Sequence, residues 1–189
     1  MRALLNRSHV DPNISDTKCG RTPLLWAAMN GHEGVVRILA ERNDVDPNIR
    51  DRENGQTLLS WAAQNGDEGV VRILLGRDDV DSNMGDFADG RTPLWWAAKN
   101  GHEVVVRMLL ERNDIDPSRA DTQSGQTPLI LAAANGCEEV VRMLLARNDV
   151  NPNIGDLAEG RTALWWASRS GHKVVVRMLL GRNDIDPNK

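Results

Sequence analysis

His32, Asp67, His102, Cys137 and His172 recur 35 residues apart, and all five are residue types that can ligate a metal ion. Ligands about 2.0–2.3 Å from one zinc ion lie within about 4 Å of one another, whereas residues of successive packed helices are displaced by about 8–10 Å. Members of this column are therefore too far apart to share an ion, and they are expected to be turn residues that hydrogen-bond locally, with no metal bound. Two arginine columns, Arg37, Arg72, Arg107, Arg142, Arg177 and Arg42, Arg77, Arg112, Arg147, Arg182, could hold phosphate only if their charge were unopposed. The second column is followed at once by Asp44, Asp79, Asp114, Asp149 and Asp184, and the chain carries 23 Lys+Arg against 27 Asp+Glu, a net charge of −4. These columns are expected to form a compensated, solvated face, so nucleic acid is not an expected partner. Catalysis needs unlike groups converging on one cavity. Here equivalent groups stand in lines, and G-x-S-x-G, P-loop and dinucleotide motifs are absent, so neither an enzyme nor a cofactor is expected.

The elements that set out these columns are repeated units. Gly20, Gly55, Gly90, Gly125 and Gly160 are 35 residues apart at every step, and Thr22, Ala27, Gly31 and Val36 each begin a column of the same period. In the third copy, Thr92 and Pro93 mark a helix start and Gly101 its left-handed end. A second helix follows, with Glu103 in its first turn, Arg112 expected in its last, and Val105, Val106, Met108, Leu109 and Leu110 making an apolar stripe. From Asn113 to Ser124 the composition turns to Asn, Asp, Pro, Ser and Gly, which predicts a projecting loop or hairpin. Helices this short are marginal alone, so stacking of neighbouring units must supply the core.

Gly90-Arg91-Thr92-Pro93-Leu94, Ala97-Ala98, Gly101-His102 and the Val-Val and Leu-Leu pairs resemble ankyrin repeats, with their T-P-L-H-x-A pattern and usual period of 33. The resemblance covers essentially the whole chain and implies an all-α solenoid of stacked helix-turn-helix units joined by projecting hairpin loops. The variant is similar to ankyrin tracts at the ends of long multidomain fungal signalling proteins. Three features depart from the family pattern: the period is 35; the motif histidine is replaced by Leu25, Ser60, Trp95, Ile130 and Trp165; and the next position is Trp26, Trp61, Trp96, Leu131 and Trp166. One array is expected over 1–189, with a partial repeat at 1–19 (end of a second helix plus hairpin) and repeats at 20–54, 55–89, 90–124, 125–159 and 160–189, the last with a truncated hairpin. Neither end reads as a polar cap, so a piece of a longer array or a truncated gene product is expected, and self-association through the uncapped ends is open to it.

A weaker period of 70 pairs Gly85–Gly90 with Gly155–Gly160 and Trp95-Trp96 with Trp165-Trp166. Duplication of a two-repeat unit accounts for it. The column Trp26, Trp61, Trp96 and Trp166 is expected to pack between repeats, while Trp95 and Trp165 are open between packing and partial exposure. The resemblance further implies a non-enzymatic protein-interaction module whose partner meets the hairpins and the inner, concave face of the first helices. The matching positions include Arg21, Met29, Glu53, Gln56, Gln64, Asp89, Arg91 and Lys99, then Gln123, Gln126, Glu159, Arg161 and Arg169. The alternative, favoured by recent duplication, is a structural spacer or elastic segment with no partner of its own. Two cysteines, Cys19 and Cys137, do not make a disulfide framework, and no apolar stretch approaches a membrane span. A reducing, cytoplasmic setting without membrane contact is the expectation.

Overall fold

The computed structural model describes residues 11–186. Among them are ten helices and no strand: α1 (Pro23–Met29), α2 (Glu33–Ala40), α3 (Leu58–Asn65), α4 (Glu68–Leu75), α5 (Pro93–Asn100), α6 (Glu103–Leu110), α7 (Pro128–Asn135), α8 (Glu138–Leu145), α9 (Ala163–Ser170) and α10 (Lys173–Leu180). None is long and apolar enough to cross a membrane.

The first helix of each pair begins where the sequence predicts. Thr22, Thr57, Thr92 and Thr127 take extended backbone, and their hydroxyls accept the N–H of Leu25, Ser60, Trp95 and Ile130. Each bond satisfies a donor that the first turn leaves unpaired. Pro23, Pro93 and Pro128 fill positions whose missing N–H costs nothing there. Second helices bury Val71 with Leu74, Val106 with Leu109, and Val141 with Leu144, pairs three residues apart on one face. First helices stack on first helices and second on second, so one continuous core runs the length of the array.

One expectation is corrected. Arg112 does not lie in the last turn of α6, which ends at Leu110, and its N–H turns back to the Leu109 carbonyl. Its guanidinium forks onto both oxygens of Asp114 at 2.8 Å. Side chains two residues apart point to different sides of a helix, so this pairing requires a turn.

The loops between helix pairs contain no ladder and fold around one carboxylate each. Asp121 accepts the N–H groups of Gln123, Ser124 and Gln126 at 3.0, 2.7 and 2.9 Å and the Ser124 hydroxyl at 2.7 Å. Neighbouring loops then join by backbone: Thr122 N–H donates to the Asp89 carbonyl at 2.7 Å and Leu157 N–H to the Ser124 carbonyl at 2.8 Å.

A second line of bonds runs along the loop that follows each second helix. Asn48 donates to the Asp79 carbonyl at 2.7 Å and accepts the Asp81 N–H at 2.9 Å, so one side-chain amide clamps the next unit twice. Asn13, Asn83 and Asn153 repeat both bonds at 2.6–2.8 Å. The third copy carries Ser118, whose shorter hydroxyl reaches Asp149 O and Asn151 N at only 3.4 and 3.3 Å. Restoring the amide with Ser118→Asn is expected to stabilise the array by about 0.5–1.5 kcal/mol, the net worth of one good hydrogen bond. That corresponds to a rise of a few degrees in Tm for a chain of this size. Calorimetry showing an unchanged or lower Tm would remove the clamp from the list of stabilising interactions.

Candidate functional site

The column that could have held a metal is used for stacking. His102 Nε2 lies 3.0 Å from the Gln64 carbonyl and His172 Nε2 3.0 Å from the Ala134 carbonyl. These rings reach the preceding unit, which corrects the expectation of local bonding. The space they occupy is left by glycine: a Cβ on Gly136, whose φ is +70°, would stand 2.6 Å from the His172 ring. Asp67 instead caps α4 through Val70 N–H at 3.0 Å, and the partly buried Cys137 has its thiol pKa pushed up by burial and by nearby Glu103. Among the described residues no three His, Cys, Asp or Glu side chains gather as metal ligands.

The second arginine column also crosses repeat boundaries. Arg77 forks onto Asp79 through Nε and Nη2 at 2.8 and 2.6 Å, while Nη1 donates to the carbonyls of Ala40 and Arg42 at 2.6 and 2.9 Å and Nη2 also to that of Val45 at 2.8 Å. Arg147 reaches the Leu110 carbonyl and Arg182 the Leu145 carbonyl, each at 2.8 Å. A cation thus satisfies the helix-end carbonyls of the preceding unit, where the macrodipole favours it. The charge is committed to the carboxylate and these carbonyls, leaving little for phosphate.

The tryptophans divide by neighbourhood. Trp95, in the slot of the motif histidine, is 2% exposed and donates its indole N–H to the Gln126 carbonyl of the next unit at 3.0 Å. Trp165 occupies the same slot in the repeat at 160–189 and is 36% exposed. Both outcomes left open by the sequence therefore occur. Each ring stands edge-on to its neighbour, with Trp95–Trp96 centroids 4.9 Å apart and Trp165–Trp166 centroids 5.1 Å apart. Trp26 and Trp166 donate to Asp16 and Asp156, each at 3.1 Å, so the loop carboxylate also anchors the adjoining helix.

The candidate partner-facing residues fall into three groups. Arg21 pairs with Glu53, at the other end of the same repeat, at 2.6 Å, Arg91 with Asp89 at 2.6 Å, and Arg161 with Asp156 at 2.9 Å and Glu159 at 3.8 Å. Gln56 is 5% exposed and donates to Gln64 at 2.8 Å, while Met29 packs against the core and Gln126 is half-buried with its carbonyl engaged. Gln123 and Glu159 are exposed on loops. Lys99 and Arg169 are exposed on the last turns of α5 and α9, each over a tryptophan pair: Lys99 Nζ lies 5.1 and 5.3 Å from the Trp95 and Trp96 rings, and the Arg169 guanidinium 5.4 and 5.6 Å from Trp165 and Trp166. With Arg91 and Arg161 over the same pairs, this gives two aromatic–cation clusters 70 residues apart. Such clusters can hold an anionic group and bury an apolar one; they contain no nucleophile with an adjacent base.

A family model described as "Ankyrin repeats (3 copies)" matches residues 1–86, 43–121, 78–156 and 112–189. The crystal structure of EF0377, an ankyrin repeat protein, is similar over 96% of this chain and 90% of that chain, with 26% sequence identity and a TM-score of 0.86. No match is found among the curated proteins.

The paired and capped carboxylates set an acid limit. The Cys19 N–H holds the Asp16 carboxyl down at about 2, and the forked arginines hold Asp79, Asp114, Asp149 and Asp184 below the ordinary carboxylate range. A depressed folded-state pKa gives stability that is present above the unfolded value, about 3.9, and is lost as pH falls through the folded value. Tm from these groups is therefore expected to hold near neutrality and to fall between about pH 4 and 2. Thermal melts across pH 7 to 2 check this; a Tm that stays level to pH 2 would show that the carboxylate bonds do not stabilise the array.

Proposed function

The chain belongs to the ankyrin-repeat family, whose repeats are in general protein–protein interaction modules on a non-catalytic fold, and on that premise we propose that it binds a protein partner along the hairpins and inner face of its first helices. The observation that supports this is a division of labour among the repeated positions. The arginine and asparagine columns that bond between units are nearly constant, whereas the slot near the end of each first helix runs Met29, Gln64, Lys99, Ala134 and Arg169, and the side chains of its exposed members Lys99 and Arg169 lie over tryptophans of their own repeat. A curved array of such slots forms a long surface in which each repeat contributes its own side chain. Arg21, Glu53, Asp89, Arg91, Gln123, Gln126, Glu159 and Arg161 border it, with Gln64 available and Gln56 behind it.

The spacer reading has one observation on its side, the 70-residue copying of Trp95-Trp96 and Gly85–Gly90. Exchanging the array for an unrelated solenoid of equal length separates the two readings, since a spacer survives the exchange and a binder does not. With a partner captured on the full chain, Arg91→Ala combined with Lys99→Ala is expected to weaken binding by about 2 kcal/mol, the scale of an interface hot spot. Arg107→Ala, on the second helix, is expected to leave affinity within about 0.5 kcal/mol. Titration calorimetry reads both, with thermal melts to confirm folding because Arg91 also holds Asp89. Loss with Arg107→Ala and none with the Arg91/Lys99 pair would move the site to the outer face.

A further inference from the structure

The charge along the inner face differs in sign from that of the whole chain. The net charge is −4, yet the border and slot residues comprise five cations, Arg21, Arg91, Lys99, Arg161 and Arg169, against three carboxylates, Glu53, Asp89 and Glu159. Every one of those carboxylates is already taken by an arginine of the set, Glu53 by Arg21, Asp89 by Arg91 and Glu159 by Arg161, which also holds the buried Asp156. Lys99 and Arg169 are the surplus: among the described residues neither pairs with a carboxylate, and both are exposed. Each is held over a tryptophan pair, so its side chain is partly ordered before any partner arrives and loses less entropy on binding.

These two cations sit in the same slot two repeats apart, with Ala134 between them. The alanine leaves the intervening repeat low, so one extended chain can lie across all three. Packed helices are spaced by about 8–10 Å, which places the cations about 16–20 Å apart. An extended peptide advances about 3.3 Å per residue and so covers that distance in about five or six residues.

We propose that the partner segment is an extended acidic peptide whose two carboxylates, five or six residues apart, engage Lys99 and Arg169, with an apolar residue between them over Ala134. This rests on the inner-face reading above and names the partner chemistry for it. A polyphosphate chain suits the surface less well, because a continuous line of charge needs a continuous line of unopposed cations and only Lys99 and Arg169 of the set are unopposed.

The test uses the full chain against a displayed library of random 12-residue peptides, then synthetic peptides titrated by tryptophan fluorescence. Enrichment of peptides with two acids five or six residues apart is expected. A synthetic peptide of that spacing should bind at least tenfold more tightly than one of the same composition with adjacent acids. The advantage should disappear in Lys99→Gln combined with Arg169→Gln, and shrink as salt is raised. Neutral or basic enriched peptides that lose binding in Arg91→Ala would sink the acidic proposal while leaving the inner face as the site. Enriched peptides indifferent to every inner-face substitution would overturn both. Tighter binding of a 20-nucleotide single strand than of the spaced acidic peptide would also overturn the proposal.

Discussion

The bond that crosses from one repeat to the next is what the structure depends on. A helix of eight residues cannot hold itself together in water, and every first and second helix beyond the seven-residue α1 has that length among the described residues. The apolar faces supply most of the driving force, but they set no register, because valine on valine slides easily. Register comes from polar groups of fixed reach. The Asn48 amide spans to Asp79 and Asp81, Arg77 to three carbonyls of the preceding unit, His102 to Gln64, and Trp95 to Gln126. The bonds of Arg77, His102 and Trp95 are half-buried and pair backbone groups that would otherwise cost about 1–3 kcal/mol, while those of Asn48 are exposed. A one-residue slip would break all of them at once.

This explains which parts of the fold are legible in the sequence and which are not. Thr92, Pro93 and Gly101 act within one turn of where they stand, so their meaning follows from local rules. Val106 and Leu109 declare a buried face by spacing alone. His102, Arg77 and Asn48 are equally regular in the sequence, yet their partners lie 31 to 38 residues away, and no local rule states whether a side chain turns inward, outward or toward a neighbour. The arginine column was legible as paired with aspartate; its use as a cap for the preceding helix was not. Arg112 marks the boundary of the method, since a base near a helix end fits the dipole rule whether it stands in the last turn or just beyond it.

Trp95 and Trp165 carry the same lesson for the candidate site. Both sit three residues after the N-cap threonine in identical local sequence, Leu94-Trp95-Trp96-Ala97 and Leu164-Trp165-Trp166-Ala167. One is buried under the next unit and the other half open. Exposure here is a property of position in the array and not of residue type. In the motif slot, an indole N–H from Trp95 makes a bond to the neighbouring unit's carbonyl. Leu25, Ser60 and Ile130 in the same slot show that the stack does not require this bond in every repeat.

Because stacking consumes a defined set of polar side chains, what remains unconsumed can vary without loss of fold. Residues in the last turn of a first helix meet this condition, and they differ in charge, size and polarity from repeat to repeat. Copying a two-repeat unit then has a particular consequence. It reproduces a cation beside a tryptophan pair while preserving the spacing between the copies, so similar contacts recur at a set interval with no new fold required. Drift afterwards acts mainly on the slots that stacking ignores: Lys99 and Arg169 keep their charge but not their identity, and Gln64 and Ala134 have diverged altogether. Met29, in the first of these slots, carries no charge, so the two copies that share a cation are the ones that also share the tryptophan pair.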